Sequence, residues 1–265
     1  MVIVSFENAA SAGRILAMDT RLRGVLKQYF KEEFSEVIKG KLQEGHALDS
    51  FNVNPLVLIA LSSGIFGEPT SMNMAKVLLY PRVFGTSVST TFGDKMQKLC
   101  AAHLGAQASS TPGMDLEFDD KVDRHRVIMQ LKAGPNTINS GDVGPMLEDM
   151  RSAYRLLRQN RVPQESMPLF AVGITYGTIG EISGHYRKIH ESTVGGQMSI
   201  PILIGQDFWH RLTGDLDFYA GMIGIFVELF EQEDYTGLLD ADLAKLASEI
   251  EAKYFTDGKF DSTKV

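Results

Sequence analysis

Apolar positions recur at helical spacing through the first part of the chain. Between about Glu7 and Gln43, Ile15, Leu16, Leu22, Val25, Leu26, Tyr29, Phe30, Val37 and Leu42 keep that period, which predicts amphipathic helix. Asn54–Ile65, Ser71–Leu79 and Gly93–Leu104 read as further helices. Val143, Met150, Ala153 and Leu156 mark one stripe of a helix from about Gly141 to Asn160, with Ser140 as its N-cap and Pro145 near enough to the start to be tolerated. Leu239, Leu243, Leu246, Ile250 and Tyr254 give an amphipathic helix near the C-terminus. Strand patterns sit in the middle. Met114–Phe118 alternates, Arg126–Leu131 is apolar and β-rich, and Leu169–Tyr176 and Ser199–Ile204 are two more candidates. The order strand, strand, helix, strand, with helices on both sides, predicts an α/β fold: a central sheet covered by helices, with a helical N-terminal segment. The expected division is a helical segment over 1–105, a sheet-bearing core over 106–215 and C-terminal helices over 216–265, packed as one compact unit.

Composition narrows the class. The 265 residues are 44% hydrophobic, enough for a sizeable core. The longest apolar runs, Pro55–Leu61 and Gly221–Val227, are too short to span a membrane. The opening MVIVSFENAA lacks the basic and apolar regions of a secretory signal, and Cys100 is the only cysteine. A reducing cytoplasm is therefore the expected location, with no intrachain disulfide and no cysteine-based zinc site. No GxxxxGK[ST] loop is present, so a nucleotide cofactor has no support. The formal net charge of −7 weighs mildly against nucleic acid. It does not exclude DNA, because a metal-dependent nuclease carries its own carboxylates and a few cations can line a cleft.

Hydrolysis of a phosphodiester needs a hard cation held by oxygen ligands, an aimed water and a counter-charge for the phosphate. A short antiparallel hairpin can supply all three. One strand brings an Asp, and its neighbour brings a second ligand with a Lys two residues on, where both share a face. Gly113-Met114-Asp115-Leu116-Glu117 reads as the first strand and Val127-Ile128-Met129-Gln130-Leu131-Lys132 as the second. The polar stretch Asp119–Arg124 between them is a connection of hairpin type, and Ala133-Gly134-Pro135 stops the second strand. A plain edge hairpin with solvated charges would carry the same short pattern, so the neighbourhood has to decide.

Gln130-Leu131-Lys132-Ala133-Gly134, followed by Thr137-Ile138, resembles the catalytic strand of type II restriction endonucleases of the PD-(D/E)xK class. The subgroup it is most similar to cuts interrupted GC-rich palindromes. The resemblance continues at Leu79-Tyr80-Pro81-Arg82-Val83-Phe84-Gly85, Tyr186-Arg187-Lys188-Ile189 and Gly205-Gln206-Asp207-Phe208-Trp209, in the same chain order. It implies a restriction-endonuclease-like core with a mixed central sheet, and a homodimer that hydrolyses both strands of a short palindromic site in double-stranded DNA. It also implies Mg²⁺ held by Asp115, the Gln130 side chain and the main chain near Leu131, with Lys132 as the lysine of the motif. Gln130 departs from the pattern, which has Asp or Glu there, and costs the site one negative charge. Glu117, on Asp115's strand face, is a candidate for the missing carboxylate, and Asp142 is a second.

Other residues carry two readings each. Arg82 suits a phosphate contact or a helix end. Arg124 and Arg126 flank the hairpin as DNA-backbone contacts or as exposed turn charges. Asn136, Thr137, Arg187 and Lys188 complete the candidate DNA-binding set. The segment His185–His190 reads as a basic phosphate-contacting stretch or a solvated strand rather than a zinc site. Gly173–Gly180 resembles a GIY-YIG motif superficially, but a strand running into a glycine turn accounts for it. Trp209 reads as packing rather than base stacking. A repair or junction-resolving nuclease of the same fold, and a non-catalytic DNA-binding protein on a decayed nuclease core, are the alternative functions.

Overall fold

A computed structural model describes residues 18–264 of the chain. Ile15, Leu16 and the opening decapeptide lie outside the described residues. Helices α1 (Thr20–Phe30) and α2 (Glu36–Glu44) flank a π-helical turn. Then come α3 (Pro55–Phe66), α4 (Ser71–Tyr80), a second π-helical turn over Pro81–Ser87, and α5 (Val88–His103). These are the helices that the apolar periods predict.

The sheet follows, with strands β1 (Gln107–Ala108), β2 (Leu116–Asp119), β3 (Arg126–Lys132), β4 (Leu169–Ile174) and β5 (Ile202–Ile204) side by side in chain order. The β1–β2 and β2–β3 pairs are antiparallel, and β3–β4 and β4–β5 are parallel. The sheet is therefore mixed, and it changes sense at β3. Helix α6 (Ser140–Gln159) makes the crossover from β3 to β4, and α7 (Gly184–His190) lies between β4 and β5. The chain closes with α8 (Gln206–Thr213), α9 (Phe218–Glu231), α10 (Tyr235–Tyr254) and a small hairpin of β6 (Phe255–Thr256) and β7 (Lys259–Phe260).

Strand β3 is central, so both of its faces must be apolar. Val127 and Met129 join Leu116 and Phe118 in a core formed with α1, α5, α8 and α9. Ile128 turns the other way and packs with Phe170, Val172 and Ile174 beneath α6 and α7. A third core joins the two ends of the chain: Leu42, Leu58, Met74 and Leu79 from α2, α3 and α4 pack on Leu243, Leu246 and Ile250 of α10.

Three details differ from the pattern-based expectation. The cap of α6 is Asn139, not Ser140: the Asn139 side chain accepts from Gly141 N, and Asp142 accepts from Asn139 N at 2.7 Å, a reciprocal capping box. The segment from His185 to His190 is not a strand but helix α7, whose buried face is Tyr186 and Ile189, three residues apart. β5 is shorter than Ser199–Ile204 because Pro201 has no N–H to give to the ladder.

Candidate active site

The two strands of the expected hairpin pair as anticipated, with Leu116 opposite Met129 and Glu117 opposite Ile128. Asp115 stands one residue before β2, still tied in by its N–H to Met129 O at 2.9 Å. That register sets Asp115 opposite Gln130. Asp115, Gln130 and Lys132 thus share the face that carries Ile128, at the end of β3 where the sheet changes from antiparallel to parallel pairing.

The Asp115 carboxylate accepts a 2.7 Å hydrogen bond from Leu131 N through Oδ2, so it points across the hairpin at the Gln130–Lys132 segment. Its Oδ1 takes no hydrogen bond among the described residues. Gln130 is only 4% exposed. Its Nε2 donates to Gly113 O at 2.7 Å and to Asp149 Oδ2 at 3.2 Å, and its Oε1 is buried with no partner. Lys132 is half-buried, and its ammonium has no ion-pair partner among the described residues.

The backbone around Lys132 is held rigidly. Thr175, 1% exposed, donates its N–H to Lys132 O and its hydroxyl to Ala133 O. Trp209 Nε1 in turn donates to Thr175 O at 2.8 Å. Trp209 is fully buried, so its role is packing, as the sequence suggests, and its one polar atom braces the site. From the other side, the Tyr186 hydroxyl donates to Gly134 O at 3.2 Å and meets Thr137 Oγ1 at 3.0 Å. Burial pushes the Tyr186 phenol up to about 12. A Cβ at Gly134 would stand 2.3 Å from the Tyr176 hydroxyl, so a side chain there would displace that ring. Two of the four resembling sequence blocks, those containing Tyr186 and Trp209, thus converge on the end of β3. The block from Leu79 does not: Leu79 and Val83 are buried in the helical core, and Arg82 lies over the Phe51 ring at 5.7 Å.

The turn of the hairpin is anchored to α8. Arg211 Nη1 stands 2.7 Å from the buried Asp120 and 2.5 Å from Asp123, and Lys121 N donates to Arg211 O. The hydrogen bond from Arg211 holds the Asp123 carboxyl below its ordinary range.

The remaining candidates are dispersed. Glu117 has both oxygens engaged, one with Ser109 at 2.6 Å and Thr111, the other with Arg126 at 3.1 Å. Asp142 is occupied as the α6 cap. Arg126 is also bound to Asp119 and Gln107. Arg124 is an exposed turn residue with φ +62°, and Asn136 and Thr137 lie exposed just beyond β3. Arg187 and Lys188 lie on the solvent face of α7. His190 Nδ1 is spent on Ile200 O at 2.8 Å. Among the described residues, no group of three or more His, Cys, Asp or Glu side chains gathers as a metal cluster. A donor set of one carboxylate, one amide oxygen and a main-chain carbonyl would not register as such a cluster, yet it suits a hard cation. The unpartnered Gln130 Oε1 beside Asp115 fits that group.

A mixed five-stranded sheet flanked by helices, with an acid, an amide and a lysine on one face, is consistent with a restriction-endonuclease-like fold. The family model of type II restriction endonuclease EcoO109I matches residues 69–233, well over half the chain, and the chain belongs to that family. It is accordingly a site-specific, DNA-hydrolysing enzyme, which sets aside the reading as a decayed binding protein. Among curated proteins no match is found. No helix of the described residues is long and apolar enough to cross a membrane.

Proposed function

We propose that this enzyme is a Mg²⁺-dependent member of the PD-(D/E)xK class that cuts both strands of an interrupted GC-rich palindrome, working as a homodimer. The observation that carries the reading is the Asp115 carboxylate, fixed across the hairpin onto Leu131 N with Gln130 and Lys132 on its own face. Asp115, Gln130 Oε1 and the main-chain oxygen near Leu131 would hold the cation, which supplies charge neutralisation at the phosphate and a more acidic water. Lys132 orients that water and offsets the charge that grows on the phosphate. Glu117, locked to Arg126 and Ser109, serves the hairpin before it serves the metal. Arg124, Arg187, Lys188 and Asn136 are exposed and placed to reach DNA, whereas Arg126 and Arg82 have partners within the chain and the Thr137 hydroxyl is engaged with Gly134 O and Tyr186.

A two-fold DNA site is matched by a two-fold protein. The exposed apolar face of α3 supports a contact through the N-terminal helices. The sheet with its covering helices would then work as the cutting unit, and the helical core shared by α2–α4 and α10 as the assembling unit.

Digestion of a plasmid of known sequence with and without Mg²⁺, followed by end mapping, tests the proposal. Discrete fragments with 5′-phosphate and 3′-hydroxyl ends at one interrupted palindrome are expected. Cleavage independent of a divalent cation, or ends at an uninterrupted or asymmetric site, would refute it.

A further inference from the structure

Gln130 has lost the carboxylate that its position calls for, yet its amide is held in one orientation. Its two amide protons both have acceptors, Gly113 O at 2.7 Å and Asp149 Oδ2 at 3.2 Å. A carbonyl and a carboxylate only accept, so neither could satisfy Oε1 if the amide were turned over. Oε1 is therefore the amide atom left over, buried and without a partner among the described residues. Buried polar atoms rarely stay orphaned unless a ligand completes them.

Asp149 reaches this position by design of the backbone. It projects from α6 onto Gly113, where a Cβ would stand 2.5 Å from Asp149 Cγ. Gly113 also has φ +78°, so both its conformation and its lack of a side chain admit the carboxylate. Asp149 forms no ion pair among the described residues. A carboxylate thus stands at the Gln130 amide, with no ion-pair partner among the described residues.

We propose that Asp149 is a positioning residue for the cleavage reaction: it fixes the Gln130 amide so that Oε1 faces the divalent cation, and it returns a carboxylate's charge to the site. The inference rests on the reading of Asp115, Gln130 and Lys132 given under Proposed function. Residues behind the metal ligands typically change metal affinity by about 10–100-fold when removed.

The test is Mn²⁺ binding to the full-length protein, followed by electron paramagnetic resonance, together with the Mg²⁺ midpoint of plasmid cleavage. Asp149→Ala should weaken Mn²⁺ binding by about tenfold or more and raise the Mg²⁺ midpoint in parallel. Asp149→Asn keeps an acceptor for the Gln130 amide but no charge, and should fall between wild type and Asp149→Ala. It also serves where the alanine variant melts early. Adding Gln130→Glu to Asp149→Ala should restore Mn²⁺ binding, because a carboxylate at 130 needs neither the charge nor the orientation. A structural role for Asp149 would show no such rescue. Wild-type Mn²⁺ binding in both Asp149 variants, or loss without rescue, would overturn the inference. Asp115→Asn separates the two levels: if it too leaves Mn²⁺ binding unchanged, the site itself is misplaced, whereas loss there with none at Asp149 removes only this inference.

Discussion

Asp115 and Lys132 oppose each other in charge, but neither contributes much to holding the hairpin together. The Asp115 side chain accepts one backbone hydrogen bond, from Leu131 N. Asn at this position keeps that acceptor and loses only the charge. Asp115→Asn should therefore melt within a degree or two of wild type while cleavage falls by roughly 10²–10³-fold or more. Lys132→Ala removes a half-buried ammonium with no partner in the described chain, so it too should fold and fail to cut. Its DNA binding should stay close to wild type, because the charge it meets grows mainly in the transition state. Purified variants assayed for melting, DNA retention and single-turnover cleavage check this, and normal rates in either would sink the assignment. That these two side chains share a face was legible in the sequence, because residues paired across a hairpin, and residues two apart along a strand, point the same way. Asp149 was not read there, since one acid on an amphipathic helix is usually solvated. The signal was present all the same: Asp149 falls three residues after Met146 and four before Ala153, both buried, so it lies along the apolar stripe. Asn139 with Asp142 three residues on is likewise a capping box in plain view, which would have removed Asp142 from the list of ligands.

At the level of elements, the β2–β3 hairpin is anchored at both ends in different ways. Its open end is braced by Thr175 and Trp209, and its turn is clamped by Arg211 on α8. Asp120 is 1% exposed, and Arg211 is its only ion-pair partner among the described residues, supported by the amides of Val122 and Asp123. Removing the guanidinium leaves a buried carboxylate with no counter-charge. Arg211→Met keeps the stem and deletes the charge, and should cost about 2–3 kcal/mol in urea unfolding. Cleavage should fall less than stability, because the turn lies at the far end of the hairpin from Lys132. The Asp123 share of the clamp has a defined pH sense. Its carboxyl titrates below the ordinary range when folded, so its contribution is complete above that range and is lost as pH falls through the folded value. A stability loss under about 0.5 kcal/mol would show that the clamp is ornamental. The hairpin and the long helices were readable because their periods of two and about 3.6 are strong over many residues. α7 was missed because its seven residues carry just two apolar positions, and β1, β6 and β7 because two residues have no period at all.

For the molecule as a whole, α3 is the anomaly. Pro55–Phe66 contains no charged residue, and only Leu58 and Ser62 are buried against the rest of the chain. Leu56 is 70% exposed and Ile65 64%, with Val57 and Leu61 beside them. Surface helices of monomeric proteins present a polar face, and a contiguous apolar one marks a contact. Val57, Leu61 and Ile65 follow one another at four-residue steps, and Ala60 and Gly64 lie alongside, small enough for a second helix to approach closely. If the proposed homodimer pairs two α3 helices about its two-fold axis, this ridge is buried on both sides. The wild-type enzyme should then scatter light as a dimer, free and on DNA. Leu61→Asp with Ile65→Asp places like charges across the proposed axis without touching any core cluster. That variant should be a monomer with an unchanged far-ultraviolet spectrum. Since each protomer would carry one Asp115–Gln130–Lys132 site, the monomer should lose concerted double-strand cleavage, and any residual activity should convert supercoiled plasmid to nicked circles before linear product appears. A double variant that remains dimeric would move the interface elsewhere, to the exposed Ile223 and Val227 of α9 as the next apolar surface. A wild-type protein that is monomeric both free and on its cognate duplex would remove the two-fold model altogether, and with it the expectation that both strands are cut in one encounter.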